Sequence, residues 1–249
     1  MNGYSTPTQT DGLLVHYLSL VISSKIALWQ VLITSGKFGF ERETVEKATI
    51  DRLFIPTLES LSDSDRMEIS RLFQLVQDGA RGAWDEVDRW CASIFHLRER
   101  DLQVVTDTLQ FNLPFAENRQ LARSPVRDEV VNKFCEVLGS ELSLWGQRLG
   151  RSIEVFPATK LDTSPWRGIR ITSNAAQTTR QVVQHMDWGK FLPLADHFAA
   201  TEVIFKEADD CLWLGRLDQA RYWSETQARL AAQYLAWEHM DVLKGRASA

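Results

Sequence analysis

Two groups of side chains have the makings of catalytic chemistry: Glu154 and Asp162 bracketing Lys160, and the run Glu207, Asp209 and Asp210. Grouped carboxylates hold divalent cations, and a nearby lysine offsets charge on a phosphate, so such a set is what a metal-dependent nuclease requires. Neither group has supporting acidic partners, and the second also reads as a hairpin turn, where Asp bonds its own backbone. His16, His96, His185, His197 and His239 are scattered singly, which suits structural roles better than ligation. There is no Gly-rich dinucleotide loop, phosphate-binding loop, G-x-S-x-G elbow or H-E-x-x-H helix, the usual marks of nucleotide, acyl-transfer and zinc chemistry. Neither a metal nor a cofactor is expected.

Basic residues give a stronger signal. Between Gly146 and Arg180, Arg148, Arg151, Lys160, Arg167, Arg170 and Arg180 face only Glu154 and Asp162, in a chain whose net charge is -5. The overall field does not favour nucleic acid, since phosphates are held by Lys and Arg, so any such contact must be local. Trp166 and Trp188 within or beside this segment could stack on bases or fill a core. Basic side chains on an exposed strand face can equally be solvated. From Glu59 to Glu117 the balance reverses, with 6 basic against 12 acidic residues, and DNA is an unfavourable neighbour there.

The elements that must position these groups follow from periodicity. Leu14, Leu18, Val21, Ile22, Leu28, Trp29 and Leu32 recur at three- and four-residue steps, which predicts one helix from Leu13 to Ile33 ending near Gly36. Its length suits a membrane span, but His16, Ser19, Ser23, Ser24, Lys25 and Gln30 interrupt it, so a buried helix is expected. Phe38, Phe40 and Val45 suggest a short extended piece, and a helical turn follows before Pro56. Beyond Ser62, a capping residue, the pattern predicts three short antiparallel helices before Pro114, a loop over 118–125, and a long helix from Val126. Then the texture changes. "SIEVFPA", "WRGIRIT", "ATEVIFK" and "CLWLGRL" read as strands, with "GKFLPLADHFAA" a helix among them. The last helix opens at Ser224, with Ala228, Ala231, Ala232, Leu235 and Ala236 forming a small-residue face. The fold class expected is α+β, with an N-terminal helical part and a C-terminal antiparallel sheet carrying helices on one face.

At 249 residues with 44% hydrophobic content, one large domain or two small ones would bury an adequate core. Residues 1–11 lack the positive charge of a secretory signal and read as a flexible leader. Cys91, Cys135 and Cys211 are odd in number and widely spaced, which fits a reducing cytoplasm and neither a disulfide framework nor a zinc site.

Three patches carry a resemblance. The stretch "ISSKIALWQVLITSGKFGFERETVEKATIDRLFIP", through Thr34, Ser35, Gly36, Phe38, Gly39, Glu41, Arg42 and Pro56, is similar to the closing part of the target-recognition region in large bacterial adenine-specific DNA methyltransferases of restriction-modification and phage-defence systems. "LRERDLQVVTDTLQFNLPF" resembles a helix that follows that region, and "ARYWSETQARLAAQYLAW" resembles their C-terminal element. Such enzymes carry a Gly-rich methyl-donor site and an N-P-P-Y or D-P-P-Y motif that holds the flipped adenine. Neither occurs here, and Tyr4, Tyr17, Tyr222 and Tyr234 lie in no such context.

The resemblance therefore implies a non-catalytic DNA-recognition or assembly subunit of a modification or phage-defence complex, borrowing its chemistry from a methyltransferase-like or restriction subunit. It divides the chain into 12–58, the end of a recognition-like region; 59–124, a helical segment; and 125–249, an α+β domain. Exposed apolar surface marks interfaces, so Leu14, Leu18, Ile22 and Trp29 are the expected partner face. Lys37, Arg42, Arg148, Arg151, Arg167 and Arg170 are the expected contacts to double-stranded DNA, positioning the duplex without reading it. A protein-interaction module without DNA binding is the alternative, supported by the acidic helical block; an independent nuclease is the third.

Overall fold

The computed structural model describes residues 12–35, 45–162, 164–174, 187–198, 200–208 and 210–244. The chain divides into two compact units, Met1–Arg119 and Gln120–Ala249. The fold is α+β: N-terminal helices, then a four-stranded antiparallel sheet packed against two helices.

The first unit begins with a correction. In place of one helix from Leu13 to Ile33 there are two, α1 (Gly12–Ile22) and α2 (Lys25–Thr34), bent by 61°. Ser24 is the physical cause. Its backbone is extended, its hydroxyl donates to the Val21 carbonyl at 2.7 Å, and its oxygen accepts the Ala27 N–H, so one residue closes α1 and caps α2. No single helix among the described residues is long and apolar enough to cross a membrane; only the bent α1 and α2 pair reaches that length and composition. Tyr17, Leu20, Val21, Ile26 and Ala27 on that pair are buried.

A short turn, α3 (Lys47–Ile50), leads back to this pair. Gln30 on α2 donates to the Phe54 carbonyl at 3.1 Å and accepts its N–H at 2.9 Å, and the Tyr17 hydroxyl donates to the Pro56 carbonyl at 2.6 Å. Three helices follow: α4 (Asp63–Gln77), α5 (Ala83–Ile94) and α6 (Glu99–Asn112). Ser62 caps α4 by accepting the Asp65 N–H, as its sequence position predicts. Ile69 and Leu72 of α4, Val87, Trp90 and Cys91 of α5, and Tyr17, Leu20 and Ile26 of the first pair form one apolar cluster. Residues before and after position 58 thus share a single core. The near-buried Asp88 accepts the Lys25 N–H at 2.9 Å and pairs with its ammonium at the same distance, a negative charge at the positive end of α2. The division between the units falls within α7 (Ala116–Arg123), a helix where the composition predicts a loop beginning at Asn118.

In the second unit α8 (Asp128–Arg148) precedes β1 (Ser152–Pro157) and β2 (Trp166–Asn174). Then come α9 (Trp188–Phe198), β3 (Glu202–Ala208), β4 (Cys211–Leu217), α10 (Glu225–Glu238) and α11 (Met240–Lys244). The sheet order is β1-β2-β4-β3, every neighbour antiparallel. Alternation sorts the strand residues by face. Ile153, Ile169, Ile171, Leu212 and Leu214 meet Phe134, Leu138 and Leu142 of α8 and the alanines of α10. Trp166, Val203 and Trp213 point the other way and pack with Phe191 and Ala195 of α9. The sheet is therefore covered on both faces, which corrects the expectation that its helices lie on one. Gly215 makes the second cover possible, because a methyl group there would overlap the Phe191 ring.

Candidate functional site

The basic segment is where the structure departs furthest from its sequence pattern. Arg167 shares the inner face of β2 with Ile169 and Ile171 and is 8% exposed. Its guanidinium donates to Asp128 at 2.6 Å, to Asp218 at 3.3 Å and to the Val126 carbonyl at 2.9 Å. Asp218 also accepts the Val126 N–H at 3.0 Å and pairs with Lys160 at 2.8 Å. Burial opposes ionisation of Asp218, yet Lys160, the Val126 N–H and Arg167 together hold its carboxyl below the usual aspartate range. Arg167 is thus an internal tie from β2 to the start of α8 and the end of β4, not a cation on an exposed strand face.

Arg170 lies on the opposite face. It stacks over Trp213, pairs with Glu207 at 3.2 Å and donates to the Cys211 sulfur at 3.1 Å. Arg148, at the end of α8, is exposed over the Trp145 ring, and Arg151 sits half-buried just before β1. The four arginines do not converge on one surface able to follow a phosphate backbone: 167 and 170 lie on opposite sheet faces, each engaged with carboxylates. Trp166 is core, and Trp188 packs edge-on against Phe191. Lys37, Arg42 and Arg180 lie outside the described residues.

Among the described residues the acidic groups do not assemble a metal site. Lys160 is committed to Asp218, Glu154 lies on β1 opposite Thr172, and Glu207 is committed to Arg170. Asp209 lies outside the described residues. Among the described residues no three His, Cys, Asp or Glu side chains are grouped to hold a metal ion. Nor is there a ready thiol nucleophile: Cys91, Cys135 and Cys211 are buried, and burial, chiefly, pushes each up to about 12.

The apolar face expected for a partner is only partly free. Leu18 packs on the helical core and Trp29 is half-buried, while Leu14 and Ile22 are just exposed. A larger exposed apolar stripe lies elsewhere. On α10 the small face of Ala228, Ala231, Ala232, Leu235 and Ala236 is buried, as its spacing predicts, and lets the helix lie close to α8. The other side presents Leu230, Tyr234 and Trp237 at steps of four and three residues, 51%, 50% and 84% exposed. These positions fall on one helical stripe.

Phe134 of α8 meets Trp223 just before α10, and Glu141 pairs with Arg229 at 3.7 Å, so the two helices run in the same direction. Exposed Leu144 and Trp145, one turn beyond Glu141, therefore lie toward the same end as Tyr234 and Trp237. Sequence patterning alone misses this surface, because Tyr and Trp beside an alanine face read equally well as core. No protein-family model, curated protein or solved structure matches the chain.

Proposed function

We propose that the chain is a non-catalytic assembly subunit of a bacterial DNA-modification or phage-defence complex, docking on a methyltransferase-like subunit that supplies the chemistry. The observation that carries this reading is the exposed stripe of Leu230, Tyr234 and Trp237. A contiguous aromatic and aliphatic patch is costly to leave in water and is the composition that anchors protein interfaces. The choice of partner rests on the resemblance of three patches of sequence, one of which contains the stripe.

Direct DNA contact is the weaker half of the original expectation. Phosphate binding needs cations free to replace counterions, whereas Arg167 and Arg170 are engaged with Asp128, Asp218 and Glu207. The reading therefore places DNA affinity in the complex and not in the isolated chain.

The test is purification of the tagged full chain from its native host, with identification of what accompanies it, alongside a salt titration of the isolated chain on duplex DNA. Recovery of a methyltransferase-like subunit, with no salt-dependent duplex binding by the chain alone, is expected. Recovery of the chain alone, or tight duplex binding lost on neutralising Arg148 and Arg151, would contradict it.

A further inference from the structure

Several surface cations of this chain are matched locally: Arg66, Arg71, Arg98 and Lys133 each meet an acid three residues away on or beside the same helix. Three arginines of the second unit are not. Arg123 ends α7, Arg127 immediately precedes α8, and Arg221 lies in the short turn Ala220–Tyr222 before α10. All three are exposed, and among the described residues no carboxylate pairs with any of them. The acids closest to them in the fold have other partners. Asp128 and Asp218 hold Arg167, Asp218 also holds Lys160, and Glu225 holds Arg229.

The fold gathers these arginines into a short row. The Ala220 N–H donates to the Ser124 carbonyl at 2.9 Å, and the Asp218 carboxylate accepts the Val126 N–H at 3.0 Å, so residues 123–127 and 217–221 run antiparallel. Arg123 and Arg221 therefore flank a single backbone hydrogen bond. Arg127 lies four residues farther along, roughly 14 Å away at most. The path between them is stiff, because Pro125 biases Ser124 to an extended backbone and Arg127 is itself extended at φ -78° and ψ 152°. The Arg221 guanidinium lies over the Tyr222 ring at 4.8 Å, which fixes its plane and leaves its N–H edge for a carboxylate. Like charges held this close without a counter-charge repel, and an anion laid along the row relieves that repulsion.

We propose that Arg123, Arg127 and Arg221 form a docking row for an extended acidic segment of a partner protein. Arginine clusters read acidic motifs through paired N–H bonds to carboxylates. In an extended segment alternate side chains share one face and repeat at about 7 Å, so glutamates at every second position reach both ends of the row. Charge on its border favours a peptide over nucleic acid. Exposed Asp128 and Glu129 lie beside Arg127; a duplex, with phosphates spread over two strands, would rest against them, whereas a single extended chain covers only the arginines. The row stands independently of the α10 stripe and of the identity of the subunit docked there.

The test uses the full chain at low salt with three fluorescently labelled probes: a short peptide alternating serine with glutamate, its lysine counterpart and a short DNA duplex. The glutamate peptide is expected to bind, with an affinity that falls as salt is added, and the other two are not. Arg123→Glu, Arg127→Glu and Arg221→Glu should each weaken it about fivefold. Arg148→Glu is the control. That arginine is also exposed but ends α8, a 21-residue helix that starts just after Arg127, so it lies about 30 Å from the row and its reversal should leave peptide binding unchanged. No binding of the glutamate peptide, equal binding of the lysine peptide, tighter binding of the duplex, or a loss on Arg148→Glu as large as on the other three would overturn the proposal. Trp237→Ala should leave peptide binding intact, which separates this row from the α10 surface.

Discussion

Asp218→Ala is expected to destabilise the second unit by about 3 kcal/mol at neutral pH, the low end of what breaking a buried, hydrogen-bonded ion pair costs. Two cations converge on this carboxylate, Lys160 at 2.8 Å and Arg167 at 3.3 Å, and its side chain is 8% exposed. Removing it leaves the Arg167 guanidinium with Asp128 as its one remaining carboxylate and strips the Val126 N–H of its acceptor. Exchange of the β4 amides, expected to be faster in the variant, reports the unit's own stability, since a central strand opens only with the whole. The pH dependence has a definite sign. A carboxyl held below its ordinary value in the folded state stabilises that state above the unfolded pKa, about 3.9 for Asp, and the contribution fades as the pH falls through the lowered value. The gap between wild type and Asp218→Ala should therefore be full near neutrality and close in acid. A variant as stable as wild type at neutral pH would mean that the cluster is a surface decoration.

The second large effect concerns binding. Trp237→Ala should weaken association with the proposed methyltransferase-like subunit by about 2 kcal/mol, roughly thirtyfold in Kd, the scale of an aromatic interface anchor. Tyr234→Ala should act in the same direction with a smaller effect. Trp237 is 84% exposed, so its removal should leave the fold intact, and amide exchange in α10 should be unchanged. Binding that drops together with α10 protection would indicate a structural role. Binding that is indifferent to both substitutions would remove the stripe from the interface.

Much of the fold was legible because burial follows period. Ile69 and Leu72 on α4, Phe134, Leu138 and Leu142 on α8, and the alanines of α10 fall at helical spacing and are buried. The break between α1 and α2 was harder to see, since the apolar repeat runs through it and the decision rests on one hydroxyl at Ser24 serving both helices. The second cover of the sheet did leave a trace. In "CLWLGRL" every residue but the last is buried, and a strand apolar on both faces signals packing on both sides.

The site was less legible. Arg167, Ile169 and Ile171 alternate on one face, a hint that the guanidinium points inward, but its partners Asp128 and Asp218 are 39 and 51 residues away in sequence. A surplus of basic residues in a linear segment says nothing about distant carboxylates that neutralise it. The exposure of Trp237 is equally a tertiary fact: its sequence neighbours do not distinguish an uncovered aromatic from a buried one.

The central claim is that this chain brings no chemistry of its own and acts by docking on a subunit that does. Its most direct test is adenine methylation of duplex DNA by the partner subunit, measured alone, with the wild-type chain and with Trp237→Ala. Full activity only with the wild-type chain, little with Trp237→Ala and none from the chain by itself is the predicted result. Methylation by this chain in the absence of a partner, or a partner whose rate is the same with and without it, would contradict the account.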